Sequence, residues 1–286
     1  MGPQRFGTLT RTAVAGAALA CVLALSTFSG AGALTQEPSA VAAAPVAASL
    51  TAPARSGLVT ASGASLNWAG YVKLGTGFTS TSANWRVPKL LTTYDGYSAS
   101  WVGIDGATNT DPYLIQTGVE ADVINHLAHY FAWWEVITPS DPAPEVRFTT
   151  LAVRPGDSIS GYIVKGTTGH WTMTLKNNTT RRLASHTSSF AGRGTSAEWI
   201  VEDTSVNGWI STAPDWQSVT FSSILVNRAN PYLSSRQAVD IVSSPGLLGG
   251  LLGLKGTTET YTRAPNSTRN GFTVTWLATG TRSQVG

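Results

Sequence analysis

The sequence is poor in cysteine. Its 286 residues include one, Cys21, which lies in an apolar segment near the N-terminus that we expect to be removed. The mature chain would then have no thiol and no disulfide, which excludes thiol catalysis and zinc ligation by cysteine. A chain of this length can bury enough apolar surface to fold without such cross-links.

Charged residues are also scarce. They make up 12% of the chain, about half of the roughly 25% that is typical of soluble domains, and the net charge is only +3. No basic run is interleaved with aromatic residues, so nucleic acid is not an expected partner. No stretch after the N-terminal segment reaches about 18 consecutive apolar residues, so we expect no stable membrane association.

Several common catalytic motifs are missing as well. Among the four histidines, His126 and His129 are three residues apart, but no HExxH pattern occurs and a third metal ligand cannot be assigned. The sequence has no G-x-S-x-G nucleophile elbow, no P-loop and no dinucleotide-binding glycine pattern. We therefore expect neither a metal nor another cofactor.

The N-terminus has the features of a secretory signal peptide. Arg5 and Arg11 precede an apolar run that begins at Ala13, and Ala31-Gly32-Ala33 offers a small-residue cleavage site. The segment that follows is rich in Ala, Pro, Ser and Thr, which is typical of a linker or propeptide. We predict a secreted, extracellular protein with three parts: a signal peptide at 1–33, a linker or propeptide at 34–62, and one domain at 63–286.

From Ser65 onward, short runs rich in Trp, Tyr, Val, Ile and Thr alternate with turn-forming residues at roughly ten-residue spacing. Many runs alternate apolar and polar residues, and no long stretch has helical periodicity, so the pattern predicts an all-β sandwich or barrel. The predicted strands are Asn67–Leu74, Ser80–Val87, Ser98–Ile104, Tyr113–Val119, Ala128–Val136, Val146–Leu151, Ser158–Val164, His170–Lys176, Ser185–Phe190, Ala197–Val201, Ser218–Val226, Ala238–Val242 and Gly271–Ala278.

Glu198 is one candidate for proton transfer. In a strand, Glu198, Ile200 and Glu202 would share one face and Trp199 would lie on the other. A buried carboxyl has a raised pKa, which suits a general base or acid. The pattern alone nevertheless favours a solvent-facing glutamate at a strand edge.

Gln116 is the complementary candidate. It interrupts the apolar run Tyr113-Leu114-Ile115, and its amide N–H could stabilise a developing oxyanion. The alternative is a buried glutamine that is satisfied by backbone groups. Asp105 follows Trp101 in a Gly-Ile-Asp-Gly turn, so polar and aromatic groups together indicate a lined cleft.

Five motifs, in this order, resemble those of the glutamic peptidases, the G1 or eqolisin family. They are Asn67–Tyr71 (NWAGY), Ser100–Gly106 (SWVGIDG), Leu114–Val119 (LIQTGV), Ala132–Glu135 (AWWE) and Ala197–Asp203 (AEWIVED). Each motif is weak alone, but their common order, with Gln and Glu at matching places, makes the resemblance specific. It runs from Asn67 to Trp276 and so covers nearly the whole predicted domain.

The resemblance implies an antiparallel β-sandwich of the concanavalin A-like lectin/glucanase type and an acid endopeptidase that acts on protein or peptide substrates. Gln116 and Glu198 would form its catalytic dyad. Supporting or substrate-binding positions would be Trp68, Trp101, Asp105, Glu120 and Glu135, where Glu120 replaces the aspartate usual in fungal members. Fungal relatives use disulfides, so their absence, with the signal segment, fits a bacterial secreted member. We expect a monomer.

The mechanism implied by the dyad needs no metal and no covalent intermediate. Ionised Glu198 would take a proton from a water lying between it and Gln116, and the water would attack the scissile carbonyl. The Gln116 amide would donate to the oxyanion, and Glu198 would return the proton to the leaving amine.

Two other classes of protein stay open on the sequence. A carbohydrate-binding sandwich would use tryptophans such as Trp101, Trp134 and Trp209 as stacking platforms. A glycoside hydrolase would pair two carboxylates, for instance Glu135 and Glu198. Concanavalin-like sandwiches host both lectins and glycanases, so the fold by itself does not choose among them.

Overall fold

The computed structural model describes residues 60, 63–91, 94–108, 111–140, 144–243, 256–278 and 283–284. All of them belong to the compact unit Ala47–Gly286. The predicted signal peptide and all of the predicted linker except residue 60 lie outside the described residues, so these boundaries stay predictions. No helix in the described ranges is long and apolar enough to cross a membrane.

The described part of the chain is built almost entirely of strands. Two short 3-10 helices, Thr167–Gly169 and Ser235–Gln237, interrupt them. In chain order the strands are β1 (Ala64–Ser65), β2 (Trp68–Leu74), β3 (Ser80–Arg86), β4 (Ser98–Ile104), β5 (Leu114–Ile124), β6 (Leu127–Ile137), β7 (Val146–Arg147), β8 (Ser158–Lys165), β9 (His170–Asn177), β10 (Arg182–Ser189), β11 (Ser196–Asp203), β12 (Ser205–Val206), β13 (Trp209–Ile210), β14 (Ser218–Val226), β15 (Ala238–Ile241), β16 (Thr260–Thr262), β17 (Phe272–Trp276) and β18 (Ser283–Gln284).

Two large sheets form a sandwich. The eight-stranded sheet has the order β1-β15-β2-β11-β4-β5-β6-β7, and the seven-stranded sheet has the order β10-β9-β8-β3-β14-β17-β16. Neighbouring strands are antiparallel except for β1 and β15. Strands β12, β13 and β18 make a small third sheet. The predicted fold class, an antiparallel all-β sandwich, is confirmed.

The main core lies between the two sheets, and it is tightly packed. A methyl group added at Gly161 of β8 would meet the Trp85 ring at 2.9 Å and Val102 of β4 at 3.1 Å. Val102, Trp171 and Trp199 belong to this buried cluster. Contacts this close leave room only for glycine where the backbones of the two sheets approach each other.

The outer face of the eight-stranded sheet is also buried over much of its area. Along β11, Trp199 points into the main core, whereas Ile200 joins a second apolar cluster with Trp68, Trp101 and Trp133. The predicted alternation of Glu198, Ile200 and Glu202 against Trp199 is therefore confirmed. The outer face of β11 is therefore covered at the positions where it carries Glu198 and Glu202.

The predicted strand boundaries differ most at the β5–β6 hairpin. Strand β5 runs five residues beyond the predicted end at Val119 and turns at Asn125 and His126, both with positive φ. The extra residues include Glu120 and Asp122, which are buried. Acidic residues are rare inside strands, which hid the continuation. Strand β7 covers only two of the six predicted residues.

Candidate active site

Strand pairing places five residues in one row across the outer face of the eight-stranded sheet. Val72 of β2 pairs with Glu198, Glu198 with Gly103, Gly103 with Gln116, and Gln116 with Glu135. Directly paired residues of antiparallel strands project their side chains on the same face. Two strand spacings separate the Cα atoms of Glu198 and Gln116 by roughly 10 Å.

Gly103 carries no side chain between these two residues. A methyl group at this position would lie 3.2 Å from the Glu198 carboxylate oxygen Oε2 and 2.7 Å from the Trp101 ring. The side chains of Glu198 and Gln116 therefore flank the position over Gly103, which we call the gap. The Trp101 ring and the Glu198 carboxylate border the gap, and a larger residue than glycine would collide with them.

The carboxyl group of Glu198 is fully buried, with 0% of the residue exposed. Neither oxygen has a hydrogen-bond partner among the described residues. Burial raises the pKa of Glu198 well above its ordinary value, the Ser196 hydroxyl nearby lowers it in part, and the negative charges of Asp105 and Asp111 raise it further. The solvent-facing alternative for Glu198 is wrong, and its environment suits a residue that binds and releases a proton.

Gln116 is oriented by Glu135. The Gln116 amide Nε2 donates a short hydrogen bond to Glu135 Oε2, while Gln116 Oε1 has no partner in the described part of the chain. The alternative of a glutamine satisfied by backbone groups is therefore wrong. Burial raises the pKa of Glu135 to about 8, the Gln116 hydrogen bond lowers it, and the charge of Glu202 raises it.

Two tryptophans and a further glutamate lie beside this row. Trp101 Nε1 donates to Glu202 Oε2 at 2.8 Å, and Asn67 Nδ2 donates to Glu202 Oε1 at 2.7 Å. Trp68 packs edge-on against Trp101 at 4.9 Å between centroids. Burial raises the pKa of Glu202 to about 7, although hydrogen bonds from Trp101 and Trp68 lower it in part. Sequence reasoning missed a site role for Glu202, although it shares a strand face with Glu198.

Asp105 fixes the segment that leads into β11. It lies just after β4 with φ of 69°, and its carboxylate accepts hydrogen bonds from the backbone N–H of Gly194 at 3.0 Å and of Thr195 at 2.5 Å. The Thr195 hydroxyl lies 3.0 Å from Asp105 and 2.5 Å from Asp111. The Thr195 hydroxyl therefore links Asp105 to Asp111. Asp105 thus positions Glu198 through the backbone.

Glu120 lies apart from the dyad. It is four residues along β5 from Gln116, about 13 Å at the usual rise per residue. Its carboxyl is 3.2 Å from the Thr204 hydroxyl, and burial together with the charges of Asp122 and Glu145 raises its pKa well above the ordinary value. The row therefore brings together Gln116, Glu135 and Glu198 but does not include Glu120.

The tryptophans offered as carbohydrate platforms are mostly covered. Trp101 is fully buried and Trp134 is stacked on His186 at 3.6 Å between centroids, whereas Trp209 is 45% exposed. Three strand spacings, roughly 14 Å, separate the Cα atoms of Glu135 and Glu198. Gln116 lies between these two glutamates and is bonded to one of them. No observation therefore favours a carbohydrate site.

His126 and His129 are both exposed, the first in the turn between β5 and β6 and the second on β6. No group of three or more metal-ligating side chains is found within the described ranges.

This antiparallel β-sandwich has the fold of a glutamic-peptidase-like protein. The Peptidase A4 family matches residues 66–248, and the chain belongs to this family. The family resemblance read from the sequence motifs is thereby confirmed.

Individual relatives agree with this assignment. The chain is 30% identical to aspergillopepsin-2 of Aspergillus niger over 182 residues, which is 55% of this chain and 63% of the relative. It is 32% identical to scytalidopepsin B of Scytalidium lignicola over 145 residues, 48% of this chain and 51% of the relative. The chain therefore spans less than two thirds of the length of these curated relatives.

Solved structures show the shared fold. Scytalido-glutamic peptidase with a transition state analog inhibitor superposes with a TM-score of 0.57 and 22% identity, over 74% of this chain and 98% of that one. Aspergilloglutamic peptidase from Aspergillus niger gives a TM-score of 0.50 and 25% identity, over 64% of this chain and 99% of that one.

Proposed function

We propose that this protein is a secreted endopeptidase that hydrolyses peptide bonds of protein substrates in acid, with Glu198 and Gln116 as its catalytic dyad. The observation that carries the proposal is the row in which buried Glu198 and Gln116 flank the gap over Gly103. Membership of the Peptidase A4 family supports peptide hydrolysis.

The dyad can carry out hydrolysis with one water and no covalent intermediate. Ionised Glu198 removes a proton from a water over Gly103, and the water oxygen attacks the scissile carbonyl carbon. The tetrahedral oxyanion accepts a hydrogen bond from the Gln116 amide. Glu198 then gives its proton to the leaving nitrogen as the C–N bond breaks, so a single carboxyl serves first as base and then as acid.

Glu135 supplies the amide orientation that this step requires. Ionised Glu135 accepts a hydrogen bond from the Gln116 Nε2 and so holds the amide nitrogen on the side of Glu135. Since its pKa is about 8, Glu135 is protonated in acid and can instead donate its O–H to Gln116 Oε1. The amide N–H2 group then faces the gap, where the oxyanion forms.

The pKa directions fix the shape of the pH profile. Burial holds the proton on Glu198, and the base must be ionised, so kcat/KM rises with pH through the Glu198 pKa. Ionisation of Glu135 at higher pH turns the amide away and lowers kcat/KM again. We expect a bell-shaped profile whose acid limb is set by Glu198 and whose alkaline limb, near pH 8, is set by Glu135.

The direct test is hydrolysis of denatured casein by the purified protein in acid, with pepstatin present to suppress aspartic peptidases. We expect Glu198→Gln to lose about 100- to 10,000-fold in kcat/KM and Gln116→Ala about 100- to 1,000-fold. Gln217→Ala, in an exposed turn, is the matched control. Full activity in either dyad variant, with a native unfolding transition, would reject the assignment.

A further inference from the structure

A cavity of about 370 Å³ opens beside the row, at the end that is opposite to Glu135. Its apolar walls include Val72 and Val239, with Ala107 and Thr108 across from them. The volume falls within the range of roughly 300–1,000 Å³ that is common for ligand sites. A single amino-acid side chain with part of its backbone fits in such a space.

The cavity lies next to Glu198 in the row, because Val72 lines it. Val72 is the direct pairing partner of Glu198 on the same sheet face, which puts their Cβ atoms about 5 Å apart. A peptide whose scissile bond lies over Gly103 therefore has a neighbouring side chain within reach of the cavity. The cavity is thus placed as a side-chain subsite rather than as a separate site.

Arg236 is the charged residue among those that line this cavity. Its guanidinium has no hydrogen bond or ion pair with another described residue. Its backbone is held in place, since Ser234 and Gln237 close a capping box around the 3-10 helix Ser235–Gln237. The helix leads directly into β15, which pairs with β2. A fixed backbone and an unpaired guanidinium place a cation at the edge of an apolar pocket.

We propose that this cavity is a specificity subsite in which Arg236 recognises the carboxylate of an aspartate or glutamate side chain of the substrate. The inference rests on the proposed peptidase function and goes beyond it, because it names a substrate preference. The guanidinium presents a planar set of N–H donors that matches a carboxylate. Val72 and Val239 contact the methylene groups of the same side chain.

Several ionisable groups besides Arg236 lie near the cavity. Glu198 lies beside Val72, and Asp105 follows β4 with its carboxylate bonded to Gly194 and Thr195. Asp240 of β15 accepts hydrogen bonds from Thr262 and Thr260, while Lys73 alternates to the opposite sheet face from Val72. An ionised carboxyl among these groups repels a substrate glutamate but not a glutamine, so it works against the preference that Arg236 creates. The comparison of wild type with Arg236→Gln therefore isolates the contribution of Arg236.

The test uses acetylated and amidated peptides, so that only a side chain can supply a carboxylate. A glutamate is placed in turn at each of three positions on either side of the cleaved bond, and each peptide is paired with its glutamine counterpart. We expect one position at which glutamate raises kcat/KM by about threefold to tenfold near pH 5.5. The ratio falls towards one near pH 3, because the substrate carboxyl has a pKa of about 4.3.

Three variants of Arg236 test the assignment. Arg236→Gln abolishes the glutamate preference, Arg236→Lys retains part of it, and Arg236→Glu transfers the preference to lysine at the same position. Arg182→Gln, an exposed residue at the start of β10 on the other sheet, leaves the preference unchanged. If Arg236 had only a structural role, the ratio of kcat/KM for glutamate and glutamine peptides would not change as the substrate carboxyl ionises.

The outcomes separate this inference from the function on which it rests. Cleavage of the peptides with equal kcat/KM for glutamate and glutamine at every position overturns the subsite alone. A preference that survives in Arg236→Gln also overturns it. Failure to cleave any peptide, with the folded protein verified by its unfolding transition, overturns the proposed function and the subsite with it.

Discussion

Glu135 and Gln116 show how one hydrogen bond can hold two functional states. The amide of Gln116 presents a donor at one end and an acceptor at the other, and the structure has the donor end bonded to Glu135. In the proposed mechanism the protonation state of Glu135 selects which end it binds. Removing the charge of Glu135 should therefore change kcat/KM differently from removing its hydrogen bond to Gln116.

We predict that Glu135→Gln retains acid activity and that Glu135→Leu loses about 10- to 100-fold in kcat/KM. The glutamine still donates to Gln116 Oε1, whereas leucine leaves the amide without a positioning partner, a smaller loss than deleting the amide itself. The profile of kcat/KM between pH 4 and 9 is the measurement. Glu135→Gln should also lack the fall near pH 8, because its side chain does not titrate. Wild-type activity in Glu135→Leu would contradict the role.

At the scale of the strand, the important feature of β4 is that Gly103 has no side chain. Gly103 lies between Glu198 and Gln116, and Trp101 on the same face fills the space below it. The strand therefore separates the dyad by two backbone spacings and places no side chain of its own between Glu198 and Gln116 at Gly103.

Gly103→Ala should lower kcat/KM about 100-fold, because its methyl group displaces the Glu198 carboxyl and the Trp101 ring. Overpacking should also cost about 1–3 kcal/mol of unfolding free energy. Peptide hydrolysis and denaturant unfolding measure the two effects. In Gly166→Ala the nearest atom lies at 3.4 Å, an ordinary contact, so it serves as a control. Unchanged kcat/KM in Gly103→Ala would show that the gap is not used.

The strands show why the sequence predicts the fold better than the site. Alternating apolar residues predict β4 and β14 with the observed ends, because each pattern is local. The row depends on β11 pairing between β2 and β4, and no local pattern specifies such a long-range register. For the same reason the burial of Glu198 was not predicted, since a glutamate in a strand is usually exposed. The resemblance to a family supplied the dyad, and Glu202 was missed.

At the scale of the molecule, several buried carboxyl groups in the described part of the chain have pKa values raised by their burial. The value reaches about 7 for Asp122 and Glu202 and about 8 for Glu135, and it lies well above the ordinary value for Glu120, Glu198 and Asp203. The unfolded chain has pKa values near 4 for the same groups. Between about pH 4 and pH 8 the native state therefore binds more protons than the unfolded state.

The free energy of unfolding should accordingly be largest in acid and should fall as the pH rises from about 4 to 8. The contribution of these carboxyls to the free energy of unfolding is fully present below their pKa in the unfolded chain. It is lost as the pH rises through their pKa values in the folded protein. Denaturant unfolding at pH 4, 6 and 8 measures this dependence. Glu202→Gln, which cannot ionise, should flatten the slope. An unfolding free energy that increases from pH 4 to pH 8 would contradict the protonated state of the cluster.

The pairing of strand β11 on both of its sides should protect it from local opening. It is hydrogen-bonded along its length to β2 on one side and β4 on the other, so its amide protons should exchange with deuterium only when the whole domain opens. If the proposed peptidase function holds, the protein is also exposed to its own action. Cuts in its loops would leave β11 and its neighbours paired, so a nicked molecule would keep its dyad until the sheet itself comes apart.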